Sequence, residues 1–138
     1  MDISEYYFAK LAAAFVRGKL ASNNYGHNLS THLSEPFLGE LTNLELCEIV
    51  EFGLAIGLHL HKFKRTMGLS RVQKVLGVLQ GLAPINLLDV GSGRGSFLWP
   101  LLDAFPELLV TSIDKDERRV NDIQAVNKGG ITNLEAKT

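Results

Sequence analysis

Three glycines at alternate positions, Gly91, Gly93 and Gly95, follow directly on the apolar run Leu87-Leu88-Asp89-Val90. Glycine at that spacing lets the chain turn sharply and lets a ligand touch bare backbone with no β-carbon in the way. The residues that follow have a helical pattern, and the first turn of a helix presents free N–H groups and a positive dipole end. Two carboxylates flank the turn. Asp89 lies two residues before Gly91, and Asp114 lies 23 residues after it, at the end of a second apolar run. An acid at the end of a second strand can accept hydrogen bonds from both ribose hydroxyls of an adenosine. Asp89 narrows the choice of ligand. A carboxylate there would repel a pyrophosphate and attract a cationic amino group. The dinucleotide fingerprint also wants a third glycine where this chain has Ser96. The set favours an adenosine cofactor that carries an ammonium and no phosphate over a nicotinamide dinucleotide.

Other residues invite chemistry less strongly. His59 and His61 are two apart, so on a helix they face different ways, and no carboxylate cluster accompanies His27 and His32. No metal site is expected. The loop Tyr25-Gly26-His27 is a candidate for contact with substrate. Residues 61–84 hold 5 basic and no acidic side chains, namely Lys62, Lys64, Arg65, Arg71 and Lys74. A local basic patch of this kind is what RNA binding needs, although basic residues near helix ends also follow from the dipole alone. Arg94 reads as a solvated helix-start residue, Trp99 and Phe97 as packing on the sheet, and Cys47 as an inert core thiol.

The elements that must hold Asp89 and Asp114 alternate between two periods. Ile85 to Val90, Leu108 to Ile113 and Ile131 to Thr138 read as strands, with helices expected over Arg94 to Phe105 and Asp116 to Asn127. The first strand reads as buried on both faces. Strand, helix, strand, helix, strand implies a parallel sheet with right-handed crossovers. Pro100 should kink its helix or sit in the first turn. Upstream, helices are expected from an N-cap at Ser4 to Leu20, from a capping box at Thr42 and Glu45 to about His61, and from Ser70 to a stop at Gly81. Ser22 to Pro36 reads as a loop. Gly53 and Gly57, four apart, would share a helix face and allow close packing.

The 138 residues suffice for one ordinary domain, and 46% apolar with 21% charged residues is the balance of a globular protein. A net charge of −1 gives no global pull toward nucleic acid or membrane. One cysteine excludes an internal disulfide and a cysteine-rich zinc site. The first residues lack the pattern of a signal peptide, and Glu45, Glu48 and Glu51 interrupt the most apolar stretch. The expectation is a soluble, cytoplasmic protein without membrane contact.

Leu87 to Gly95 resembles the first motif of class I S-adenosylmethionine-dependent methyltransferases, and Ser112-Ile113-Asp114 resembles their second. The resemblance implies an α/β fold: an N-terminal helical segment followed by the first half of a Rossmann-like parallel sheet, with strands 1, 2 and a third. It implies S-adenosylmethionine as cofactor. Gly91, Ser92 and Gly93 would meet its methionine part through backbone, with Gly95 completing the triplet. Asp89 would hold its amino group and Asp114 its ribose. Family members have seven strands in the order 3-2-1-4-5-7-6, so residues 85–138 are expected to be a truncated half-domain and residues 1–84 a helical cap. Strand 1 would then carry an open edge, and self-association or completion by another chain is expected. The resemblance identifies no catalytic residue. A small-molecule methyl acceptor is favoured, with RNA the alternative through the five basic residues; a non-catalytic association module is the competing reading.

Overall fold

The computed structural model describes residues 3–22, 38–65, 70–91 and 97–138. Five α-helices are described: α1 (Ala9–Ser22), α2 (Asn43–Ala55), α3 (Ser70–Leu82), α4 (Leu98–Ala104) and α5 (Glu117–Lys128). Three strands, β1 (Asn86–Val90), β2 (Leu109–Ile113) and β3 (Leu134–Lys137), form one parallel sheet in the order β1-β2-β3. The α/β class and the strand–helix alternation are as the sequence implies.

Several boundaries moved for identifiable reasons. The first helix begins at Ala9 because residues 6–8 are drawn into extended pairing. Phe8 donates its N–H to the Phe63 carbonyl, Arg65 donates to Tyr6, and Tyr7 and Lys64 form an antiparallel bridge. The capping box at Thr42 and Glu45 is present, with reciprocal bonds of 3.1 and 2.9 Å. That helix stops at Ala55, short of His61, where Gly57 adopts a φ of +90° that only glycine takes easily. Gly57 therefore shares no helix face with Gly53. Gly53 does serve a close approach, against the Val16 side chain of α1. Pro100 falls in the first turn of α4, where a missing N–H costs nothing.

One hydrophobic cluster runs through the chain and takes residues from both sides of position 84. Phe15, Val16 and Val50 join Leu98, Trp99, Val110, Val126 and Leu134 in it. Helix α1 lies against α5 at backbone contact, and Phe63 bridges Phe15 and Trp99 with ring centroids 5.2 and 4.8 Å apart. Trp99 and Phe97 pack with the core as expected.

The sheet is covered unequally. Side chains alternate across a strand, and the face carrying Val110, Ser112, Leu134 and Ala136 is buried. The opposite face carries Leu88 at 59% exposure, Val90 at 70% and Leu109 at 55%. The expectation of a strand buried on both faces is thus corrected for β1: no described element covers its outer face, and β2 is its one described neighbour in the sheet. No helix among the described residues is long and apolar enough to cross a membrane.

Candidate functional site

The two acids are brought together by register. Asp89 pairs with Ser112 across β1 and β2, and Val90 with Ile113. Because side chains alternate with a period of two, Asp89, Ser112 and Asp114 project from the same face at the carboxyl ends of neighbouring parallel strands. Open α/β sheets bind ligands at such ends. The Ser112 hydroxyl donates to Asp89 Oδ2 over a long 3.4 Å, which ties the first acid to the second strand.

Gly91 extends the ladder by one more bond, its N–H donating to the Ile113 carbonyl at 2.7 Å. It then takes a φ of +68°, in the left-handed region, and an added β-carbon would meet no atom of the described residues within 4 Å. The first glycine is thus needed for conformation, and no described residue fills the space beside it. Both properties suit a ligand lying against bare backbone. Ser92, Gly93, Arg94 and Gly95, with Ser96, lie outside the described residues, as do Tyr25, Gly26, His27 and His32.

Asp114 is only 6% exposed. Its N–H donates to the Lys137 carbonyl at 3.0 Å, which anchors it to β3. Its Oδ1 accepts the Asp116 N–H at 2.9 Å. Asp116 is the N-cap of α5 and accepts the Arg118 N–H at 3.0 Å. Arg119, within the first turn of α5, reaches back to both acids: Nη1 lies 3.8 Å from Asp114 Oδ2 and Nε 3.7 Å from Asp116 Oδ2. The sequence reading placed Ser112 in the second motif but not against Asp89, and it missed Arg119. A polar residue at a buried strand position, and a cation three residues after an N-cap acid, were the available signals.

The donor set fits the implied cofactor in its chemistry. Asp89 and Asp114 offer acceptors, which an ammonium and a ribose diol require, and the one described glycine leaves room beside the backbone. Ionised carboxylates alone would not suit a phosphate.

The basic run is divided. Lys62 bonds Asp122 at 2.6 Å and lies 4.5 Å from the centre of the Phe15 ring, and Arg65 donates to the Ser4 carbonyl and stands 3.6 Å from Asp103. Lys64, Arg71 and Lys74 are exposed. His59 and His61 are exposed, and no cluster of three or more potential metal ligands occurs among the described residues. Cys47 is buried.

Over 50 residues the chain is 46% identical to the ribosomal RNA small subunit methyltransferase G of Streptococcus pneumoniae serotype 19F, and equally to that of serotype 4. The match covers 34% of this chain and 21% of each relative's length. No family profile matches the chain, and no solved structure does. The chain thus has a partial similarity to a methyltransferase, joined to a Rossmann-like partial α/β fold.

Proposed function

We propose that this chain forms the methionine- and ribose-binding part of the cofactor site of a class I S-adenosylmethionine-dependent methyltransferase. The observation that carries the proposal is the placement of Asp89 and Asp114 on one face, at the carboxyl ends of paired parallel strands, beside the positive-φ Gly91. The partial similarity to methyltransferases supports it as well. Asp89 would hold the cofactor's amino group, Gly91, Ser92 and Gly93 would meet its methionine part through backbone with Gly95 completing the triplet, and Asp114 would take the ribose hydroxyls. The cofactor, when bound, supplies a methyl group already activated as a sulfonium, so the protein's part is to position the partners and exclude water.

In the same proposal residues 85–138 are the cofactor-binding half-domain, residues 1–84 the helical region that precedes it, and the setting is cytoplasmic. The two regions share one core, so the division is one of role. The methyl acceptor we propose is RNA, in place of the small molecule first favoured. The names of the similar proteins support that change, as does the exposure of Lys64, Arg71 and Lys74.

The test is titration calorimetry of the 138-residue chain with S-adenosylhomocysteine. Micromolar binding is expected, and no binding by a folded chain sinks the proposal. The exposed face of β1, and its far flank where no described strand pairs, favour a second reading, an association module that needs a partner chain. A folded chain that self-associates in sedimentation and ignores the ligand would favour that reading.

A further inference from the structure

We propose that Arg119 is a positioning residue for Asp114, fixing the orientation in which its carboxylate meets the ribose of an adenosyl ligand. The inference rests on the function proposed above and adds a residue to it.

The Asp114 side chain is 5% exposed, and a carboxylate so far from water needs donors and compensating charge. The backbone supplies one donor, the Asp116 N–H on Oδ1. Arg119 supplies the charge, on the other oxygen. The Asp116 N–H holds one oxygen and the guanidinium attracts the other, so rotation of the carboxylate about its Cβ–Cγ bond is opposed at both ends. Two adjacent ribose hydroxyls need that restraint, because both must find lone pairs of one planar group at once. Arg119 is itself held. Its Nε faces Asp116, and Asp116 is fixed as the cap of α5.

An ion pair on a surface contributes little, and the neighbouring arginine shows the contrast. Arg118 is 94% exposed and stands 4.0 Å from Asp116. Arg119 is 45% exposed and stands against a carboxylate that is almost wholly buried. Its effect is therefore directed at the group that the proposed function places on the ribose.

The experiment is a double-mutant cycle read by the dissociation constant for S-adenosylhomocysteine. The wild-type chain, R119Q, R119K, D114N and R119Q/D114N are titrated, and thermal melts establish that each is folded. R119Q should weaken binding about tenfold, and R119K should recover part of the loss, since lysine keeps the charge without the fork. In the D114N background R119Q should have no further effect, because Arg119 acts through Asp114. Unchanged binding by R119Q, or losses that simply add, overturns the role of Arg119 while leaving the cofactor site intact. A wild-type chain that does not bind overturns the proposed function and this inference with it.

Discussion

Gly18 of α1 lies against the backbone carbonyl of Ala125 in α5, so close that a β-carbon at Gly18 would overlap the Ala125 oxygen. The contact is reciprocal, because a β-carbon at Gly129 would overlap the carbonyl of Ala14, four residues before Gly18. Two small residues on each partner, Ala14 with Gly18 and Ala125 with Gly129, bring the backbones together. Helix α5 in turn carries the Asp116 cap beside Asp114, so this crossing helps fix the helix on which the proposed site rests.

Gly18→Ala should destabilise the protein. Alanine favours a helix over glycine by about 1 kcal/mol. Forcing a methyl group into a packed contact costs about 1–3 kcal/mol and more where nothing can yield, and here the obstacle is backbone. A melting temperature several degrees below wild type is expected. An unchanged or higher value would mean that the two helices part easily.

Gly77→Ala should act in the opposite sense. Gly77 lies within α3, and an added β-carbon there would meet no atom of the described residues within 4 Å. With no clash to offset the helix preference, stability should rise by about 0.5–1 kcal/mol. Thermal melting of the two variants beside wild type separates close packing from propensity. A loss at Gly77 equal to that at Gly18 would contradict the difference in surroundings.

The alternation of strands and helices, the Thr42 capping box and the place of Asp89 and Asp114 were legible because each is written in local spacing. The limits of α1 were not, because residues 6–8 pair with residues 63–65, more than fifty positions away. The exposure of β1 was not legible either. An apolar run looks the same whether one face or both are covered, and only the packing distinguishes Leu88 from Leu87. Gly53 and Gly57 looked equivalent by spacing, but the helix ends between them. Arg119 escaped notice because its partners are set by the fold of the Asp114–Asp116 turn.

The two faces of the sheet should answer differently to substitution. Leu134 is fully buried and Leu88 is 59% exposed. Leu134→Ala should cost about 2–5 kcal/mol. Leu88→Thr should cost well under 1 kcal/mol in the isolated chain, since it removes little apolar area from the interior. Denaturant unfolding measures both. A large loss for Leu88→Thr would show that the outer face is covered in solution, and dependence of that loss on protein concentration would identify a second copy as the cover.

The basic residues should divide likewise. Lys62 is committed to Asp122, whereas Arg71 and Lys74 lie exposed on α3. If RNA is the acceptor, Arg71→Glu with Lys74→Glu should weaken RNA binding and flatten its salt dependence. Lys62→Gln should lower the melting temperature slightly, by an amount discounted for the partial exposure of the pair, and leave the salt slope alone. Equal RNA binding by wild type and the double variant, at all salt concentrations, would remove the patch from the acceptor site.

The two acids should be separable by shortening the ligand. In the proposed function Asp89 would hold the amino end of the cofactor and Asp114 its ribose. Hydrogen bonds to charged groups are worth about 1.5–3 kcal/mol, or roughly ten- to a hundredfold in affinity. Asp89→Asn should therefore weaken S-adenosylhomocysteine by such a factor and leave adenosine, which lacks the amino acid part, unaffected. Asp114→Ala should weaken both ligands. It also removes the acceptor of the Asp116 N–H, so Asp114→Asn, which keeps an oxygen for that bond, controls for damage to the α5 cap. Equal losses for both ligands with Asp89→Asn would mean that Asp89 supports the site as a whole through Ser112 and does not address one end of the cofactor.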